Sequence, residues 1–328
     1  MSVTAESHDR KAPMQVMILA GGLNAEREVS LRSGRRVAEA LRAARPDWEI
    51  VERDVDAALL GALAADAPDC VVPLLHGSAG EDGALRDVLE CLGLPYVGSR
   101  PAACRLAFDK PIAKTLVRRA GASTPESVAL PHATFRELGA PGVMAALEAG
   151  IGLPLVVKPA RGGSALGVSV VRTHEELPAA MMGAFAYGDA ALLERFVTGT
   201  EVAIGVVETS EGPVALPAVE ICADGGFYDY AARYTAGTTE FHVPARLHPA
   251  VAQAAADVAL LAHATLGLRD WSRSDFIVDA NGTAWFLEVN VAPGMTETSL
   301  VPQALTAAGL DMGQQMAALV DRATARLG

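Results

Sequence analysis

An Asn-Gly step between two apolar, strand-forming runs restricts this chain more than any other feature. The segment Arg273-Ser274-Asp275-Phe276-Ile277-Val278-Asp279-Ala280-Asn281-Gly282-Thr283-Ala284-Trp285-Phe286-Leu287-Glu288-Val289-Asn290 reads as a β-hairpin folded about Asn281-Gly282, because that dipeptide adopts the positive φ values a two-residue turn needs. Such a turn pairs Ala280 with Thr283, and counting outward sets Asp275 opposite Glu288 and Arg273 opposite Asn290. Side chains alternate across a strand, so all four project from one face. Like charges facing each other destabilise a sheet. Two carboxylates with a nearby amide oxygen, however, are the hard oxygen donors a divalent cation takes, with positions left over for phosphate. Ordinary surface acids on a solvated hairpin would account for any one of these residues. Jointly, the four point to a Mg2+ site.

Composition bounds the alternatives. At 328 residues and 51% hydrophobic content, the chain can bury a sizeable core and divides into two or three domains. A net charge of -12 argues against nucleic-acid or membrane-surface partners, although a local cluster of basic residues can still hold phosphates. Cys70, Cys91, Cys104 and Cys222 lack metal or disulfide spacing, which predicts free buried thiols in a reducing, cytoplasmic setting. The segment 1–13 is polar and lacks an apolar signal core, and the apolar stretch 251–268 is interrupted by Gln253, Asp257 and His263; neither reads as secreted or membrane-spanning.

Only four of the 27 basic residues are lysines, Lys11, Lys110, Lys114 and Lys158. Where arginine is the default cation, a surviving lysine suggests a point charge reaching a phosphate. Lys110 and Lys158 are the candidates; Lys114 stays open between a functional and a surface role, and Lys11 falls in the tail. Lys158-Pro159-Ala160-Arg161-Gly162-Gly163-Ser164-Ala165-Leu166-Gly167 links an apolar run at 153–157 to another at 168–172. Its glycines can turn backbone N–H groups toward phosphate oxygens, with Lys158 as countercharge. The GKS/T order of a Walker A loop is absent.

Nearer the start, apolar runs at 15–20 and 70–75 flank a helix at 30–44 in a β-α-β pattern. Gly21-Gly22 and His76-Gly77 then meet at the carboxyl edge of a parallel sheet, where α/β folds bind ligands. Without a full GxGxxG, a dinucleotide site is a poor reading.

Together these pieces resemble the D-alanine–D-alanine ligases of the ATP-grasp superfamily. The resemblance runs from about Val16 onward and rests on six motifs in order: Gly21-Gly22-Leu23-Asn24-Ala25-Glu26-Arg27-Glu28-Val29-Ser30; His76-Gly77-Ser78-Ala79-Gly80-Glu81-Asp82-Gly83; Pro95-Tyr96-Val97-Gly98-Ser99 with Asp109-Lys110; the 158–167 loop; Phe227-Tyr228-Asp229-Tyr230 with Tyr234; and Glu288-Val289-Asn290 with Pro293-Gly294-Met295-Thr296. It implies an α/β ATP-grasp fold, with a tail at 1–13 expected to be disordered and an N-terminal Rossmann-like α/β substrate domain at 14–108. Two α+β lobes that clasp ATP follow, a central one at 109–201 and a C-terminal one at 202–328 bearing flap and metal site. The implied reaction phosphorylates one D-alanine carboxylate and lets the amine of a second displace phosphate, giving D-alanyl-D-alanine for peptidoglycan precursors.

The resemblance also implies roles. Asp275, Glu288 and Asn290 would hold Mg2+, or Mn2+ in its place. Lys110, Lys158 and Arg233 would contact the phosphates, while Glu194, Phe196, Val197 and Glu201 would bind adenine and ribose. Arg273 and the N–H of Gly294 would form the oxyanion hole. Glu26 would take the first D-alanine's ammonium, linked to Ser164 and Tyr234, with His76 beside that substrate. Ser299 and Leu300 would receive the second D-alanine's carboxylate at a helix start, although Ser299 alone is an ordinary N-cap. A flap over 228–239 would exclude water, its Tyr234 favouring an amine over a hydroxy-acid acceptor. A homodimer is implied, joined through the first lobe. Four positions depart from the family's pattern: Arg233 for a lysine, Ala165 for a serine, Val291 for a threonine and Phe108 for a methionine. Two alternatives remain: an ATP-grasp ligase taking D-lactate or another amino acid second, and a non-catalytic nucleotide-binding relative.

Overall fold

The computed structural model describes residues 13–24, 26–223 and 239–326; Arg233, Tyr234, most of the expected flap and nearly all of the expected tail lie outside them. In the described residues three sheets carry the chain. The first is parallel: Gln15–Ala20 runs between Glu49–Asp54 and Cys70–Pro73, with helix Arg27–Ala44 as a crossover. Its central strand is an almost unbroken apolar run, as a strand covered on both faces must be. The second sheet is antiparallel, in the order Ser127–Pro131, Ala190–Arg195, Leu155–Pro159, Ser169–Val171. The third runs in the order Thr239–His242, Val219–Ala223, Thr200–Thr209, Trp271–Val278, Ala284–Asn290, and Gly212–Ala215 pairs separately with Thr200–Thr209.

Helix packing ties these sheets together. Helix Lys110–Arg119 starts at Asp109, whose carboxylate accepts from the Ile112 N–H at 3.2 Å, a cap that satisfies an otherwise orphaned donor. Its Ala113 and Val117 join Val202, Ile204, Phe276 and Phe286 in the core under the third sheet. Helix Met312–Ala325 returns to the first sheet, where Met316, Leu319 and Val320 pack with Val16, Ile18, Val37 and Leu41. That approach requires glycine: a Cβ on Gly313 would lie 2.4 Å from the Ala40 carbonyl oxygen.

The hairpin keeps the expected outer register by a different route. Asp275 does face Glu288 and Arg273 faces Asn290. Near the turn, however, Val278 pairs with Ala284 rather than with Trp285. The connection is not a two-residue turn, because the Asp279 carboxylate accepts from the N–H groups of Asn281 and Thr283, at 2.9 and 3.0 Å, and builds a longer loop. A register shift between Asp275 and Phe276 restores the count, a β-bulge of the kind that re-aims side chains beside sites.

The four cysteines are free, as expected, but only Cys70 and Cys104 are buried. Cys91 ends helix Ala84–Cys91 on its solvent side and is exposed, and Cys222 is half-buried. Among the described residues no helix is long and apolar enough to cross a membrane.

Candidate active site

Two adjoining cavities hold all the candidates among the described residues. The larger, about 440 Å3, is lined by Lys110, Lys158, Glu194, Phe196, Val197 and Glu201, and by Asp275 and Glu288 from the hairpin. The smaller, about 330 Å3, is lined by Glu26, His76, Ser164, Arg273, Asn290, Gly294, Ser299 and Leu300. Lys110, Gly162, Gly163 and Glu288 border both, so a group held at that neck reaches either side.

At the larger cavity, Lys158 leaves the end of strand Leu155–Pro159 and is buried against Glu194 of the neighbouring strand, Nζ to Oε2 at 2.5 Å. The other oxygen of Glu194 meets Lys114 Nζ, also at 2.5 Å. Burial opposes all three charges, yet the two lysines hold the Glu194 carboxyl below the usual range. The lysines part ways. Burial and repulsion from Lys158 push Lys114 down to about 8. Lys158 is buried too, but the charges of Glu194, Glu288 and Asp275 hold it above its ordinary value. Lys110 donates from Nζ to the Gly162 carbonyl at 2.6 Å and lies 3.4 Å from Glu288 Oε2. The glycine-rich loop bends sharply here: Ser164 and Ala165 both adopt left-handed backbone, with φ of 51° and 55°, a conformation that costs energy for residues bearing a Cβ.

The hairpin acids are met by cations of the chain. Arg273 grips Asp275 through Nε and a terminal nitrogen at 2.7 and 2.8 Å, so the plain salt bridge is present alongside any other role. No group of three or more His, Cys, Asp or Glu side chains positioned for a metal occurs among the described residues. Asp275 and Glu288 do supply two facing carboxylates that open into the larger cavity. Asn290 Oδ1 accepts from the Ala292 N–H at 2.8 Å and, as an amide oxygen, has a second lone pair. This donor set fits a cation that takes its remaining ligands from a substrate.

In the smaller cavity the Ser164 hydroxyl donates to Glu26 Oε1, joining residues far apart in sequence. Gly77 makes room for that carboxylate: its φ is +66° and a Cβ there would come within 2.6 Å of Glu26 Oε2. His76 is buried and uncharged, since burial lowers its pKa. Its Nδ1 lies 2.8 Å from the Ala292 carbonyl and must carry the proton; Nε2 then accepts from Ser33 Oγ at 3.3 Å. Ser299 begins helix Leu300–Ala307 without capping it. Its Oγ instead accepts from the Thr296 N–H at 3.0 Å and lies 2.8 Å from Thr296 Oγ1. Of the departures from the family pattern, Ala165 lines the larger cavity and Phe108 the smaller, whereas Val291 is buried in the core.

Lys114, open between a functional and a surface role in the sequence, is buried and paired; its spacing of one helical turn from Lys110 is the signal that favours the functional role. Glu81 lines the smaller cavity and accepts from the Gly77 N–H at 2.8 Å. Burial first, and then the charge of Glu26, pushes its pKa up to about 8. It belongs to the 76–83 motif, but burial is not legible from a motif.

Comparison with known proteins finds relatives in both sequence and structure. A sequence model described as the D-ala D-ala ligase C-terminus matches residues 116–321. A D-alanine--D-alanine ligase of Bordetella petrii is 39% identical over 326 residues, covering 99% of this chain and 97% of the relative. Among solved structures, the VanG D-Ala:D-Ser ligase from Enterococcus faecalis superposes with a TM-score of 0.80 at 28% identity, covering 94% of this chain and 99% of that one. The D-alanine--D-alanine ligase from Bacillus anthracis complexed with ATP gives 0.75 at 26% identity, covering 96% and 98%.

Proposed function

This chain belongs to the D-alanine–D-alanine ligase family, and from that premise we propose that it joins two D-alanines into D-alanyl-D-alanine, with ATP converted to ADP and phosphate. The observation that carries the reading is the shared neck. An ammonium-lined cavity of about 440 Å3 meets a smaller one of about 330 Å3, which takes the two amino acids, at Lys110 and Glu288, where a phosphoryl group can pass from one to the other. The product would serve peptidoglycan precursor synthesis in the cytoplasm, with the enzyme acting as a homodimer.

On this reading, Glu26 receives the ammonium of the first D-alanine, and Ser164 holds that carboxylate in place. The carboxylate of that D-alanine then faces the neck and attacks the γ-phosphate, giving an acyl phosphate and releasing ADP. Lys110 and Lys158 orient the phosphates and offset their charge. Asp275, Glu288 and Asn290 are the residues that would hold Mg2+, which supplies further charge neutralisation during phosphoryl transfer. Ser299 and the start of helix Leu300–Ala307 bind the second D-alanine's carboxylate, leaving its amine to attack the acyl carbon. Arg273 and the Gly294 N–H stabilise the oxygen of the tetrahedral intermediate before phosphate departs. His76, uncharged and fixed by Ala292 and Ser33, gives the first substrate a wall that does not repel its ammonium.

Phosphate release from Mg-ATP with D-alanine, L-alanine, D-serine or D-alanine plus D-lactate, with products identified by mass, tests the reading. The expected outcome is D-alanine-dependent phosphate accompanied by D-alanyl-D-alanine. Turnover only with another second substrate would overturn the acceptor assignment, and ATP turnover with none of these would overturn the ligase assignment.

A further inference from the structure

We propose that Lys114 is a positioning residue for the nucleotide: by holding one oxygen of Glu194, it leaves the other to Lys158 and so fixes where the Lys158 ammonium stands on the cavity wall. The inference deepens the proposed function and rests on the larger cavity being the nucleotide site.

Lys158 and Glu194 both line that cavity, whereas Lys114 lies behind them. It is buried at 2% side-chain exposure, so no ligand needs to touch it. Its Nζ has two anchors, Glu194 Oε1 at 2.5 Å and the Phe286 carbonyl at 3.2 Å, the latter on the strand that carries Glu288. One ammonium thus ties the second sheet to the metal-side hairpin through a carboxylate divided between two cations. A carboxylate in so buried a place cannot leave an oxygen unpaired without a large desolvation cost. With Lys114 gone, Glu194 would turn both oxygens onto Lys158, neutralising that ammonium and drawing it off the cavity wall. The three charges sum to +1, and Lys114 is what keeps the surplus available to a triphosphate.

The experiment compares the parent enzyme with Lys114→Met, Glu194→Gln and the double variant. The readouts are KM for ATP, kcat, and the rise in thermal midpoint on adding Mg-ATP without amino acid. Lys114→Met is expected to raise KM for ATP roughly tenfold while kcat changes by less than about threefold, and to shrink the ATP-induced thermal shift. Glu194→Gln keeps an acceptor oxygen but no longer pulls on Lys158, so the double variant should bind ATP more tightly than Lys114→Met alone. A side chain that merely fills the core predicts no such rescue. A folded Lys114→Met with the parent's KM and thermal shift overturns the proposal, as does a double variant weaker than the single one. If Lys114→Met does not fold, the double variant decides: folded and ATP-binding supports the proposal, and unfolded or ATP-blind overturns it. Failure of the parent to bind ATP would instead sink the nucleotide reading of the cavity.

Discussion

Ser299 and Arg273 each stand where an ordinary structural job was available. Ser299 leaves its helix uncapped and points its hydroxyl at Thr296. Arg273 takes Asp275 in a two-point grip and still lines the smaller cavity. Arg273→Ala is expected to lower kcat by about 10²–10³, the loss typical of one oxyanion donor, with KM for ATP little changed; steady-state kinetics at saturating D-alanine would show it. Glu81 makes a second prediction. Its folded pKa, about 8, lies above the ordinary 4.5, so between those values the folded state binds a proton the unfolded chain has released. Its contribution to stability is therefore complete below pH 4.5 and is lost as the pH rises through 8, with Glu26, Lys110 and Arg273 as the charges facing it. Denaturant midpoints measured across that window should fall less steeply with pH in Glu81→Gln than in the parent. Residue types and spacing made Asp275, Glu288, Lys110 and Lys158 legible from the sequence. Glu81 was not, and Lys114 stayed open, because their character comes from burial among partners distant in the chain.

The hairpin shows why element-scale reading can reach the right pairing through the wrong turn. Asn-Gly suggested a tight reversal, but Asp279 captured the turn's N–H groups and lengthened it by local hydrogen bonding that competes with the ladder. The bulge then reset the register. Sequence alternation specifies which face a residue shares with its neighbours, not where an extra residue is absorbed. Because the two acids sit beyond that bulge, Glu288→Gln should abolish turnover while leaving the far-ultraviolet circular dichroism and thermal midpoint close to the parent's; a near-normal rate would remove Glu288 from the metal assignment. The returning helix makes a contrasting prediction. Gly313→Ala would push a methyl group into the Ala40 carbonyl and is expected to cost about 1–3 kcal/mol, read as a lower denaturant midpoint at unchanged kcat.

At the scale of the molecule, a buried aspartate clasps the first sheet's unit to the third sheet. Asp270 accepts from the Gly98 N–H at 2.6 Å and from Arg326 at 2.8 Å, while neighbouring Arg269 donates to the Gly98 carbonyl and stacks over Tyr96. Asp270→Asn should destabilise the enzyme by about 3 kcal/mol, seen in urea titrations as a shifted midpoint. The sequence suggested the order of the lobes from its motifs, but nothing local to Asp270 or Arg326 announced that they meet. The same holds for the closing helix, whose Met316, Leu319 and Val320 finish the core begun by Val16 and Ile18. A ribosome delivers the first sheet and its crossover helix long before Met312–Ala325, so the apolar surface that the later helix covers stays open while the residues between are added. Nascent chains halted before Met312 should therefore leave 14–44 more open to protease and to chaperones than the finished chain does, so an early-made unit waits on a late helix to be sealed.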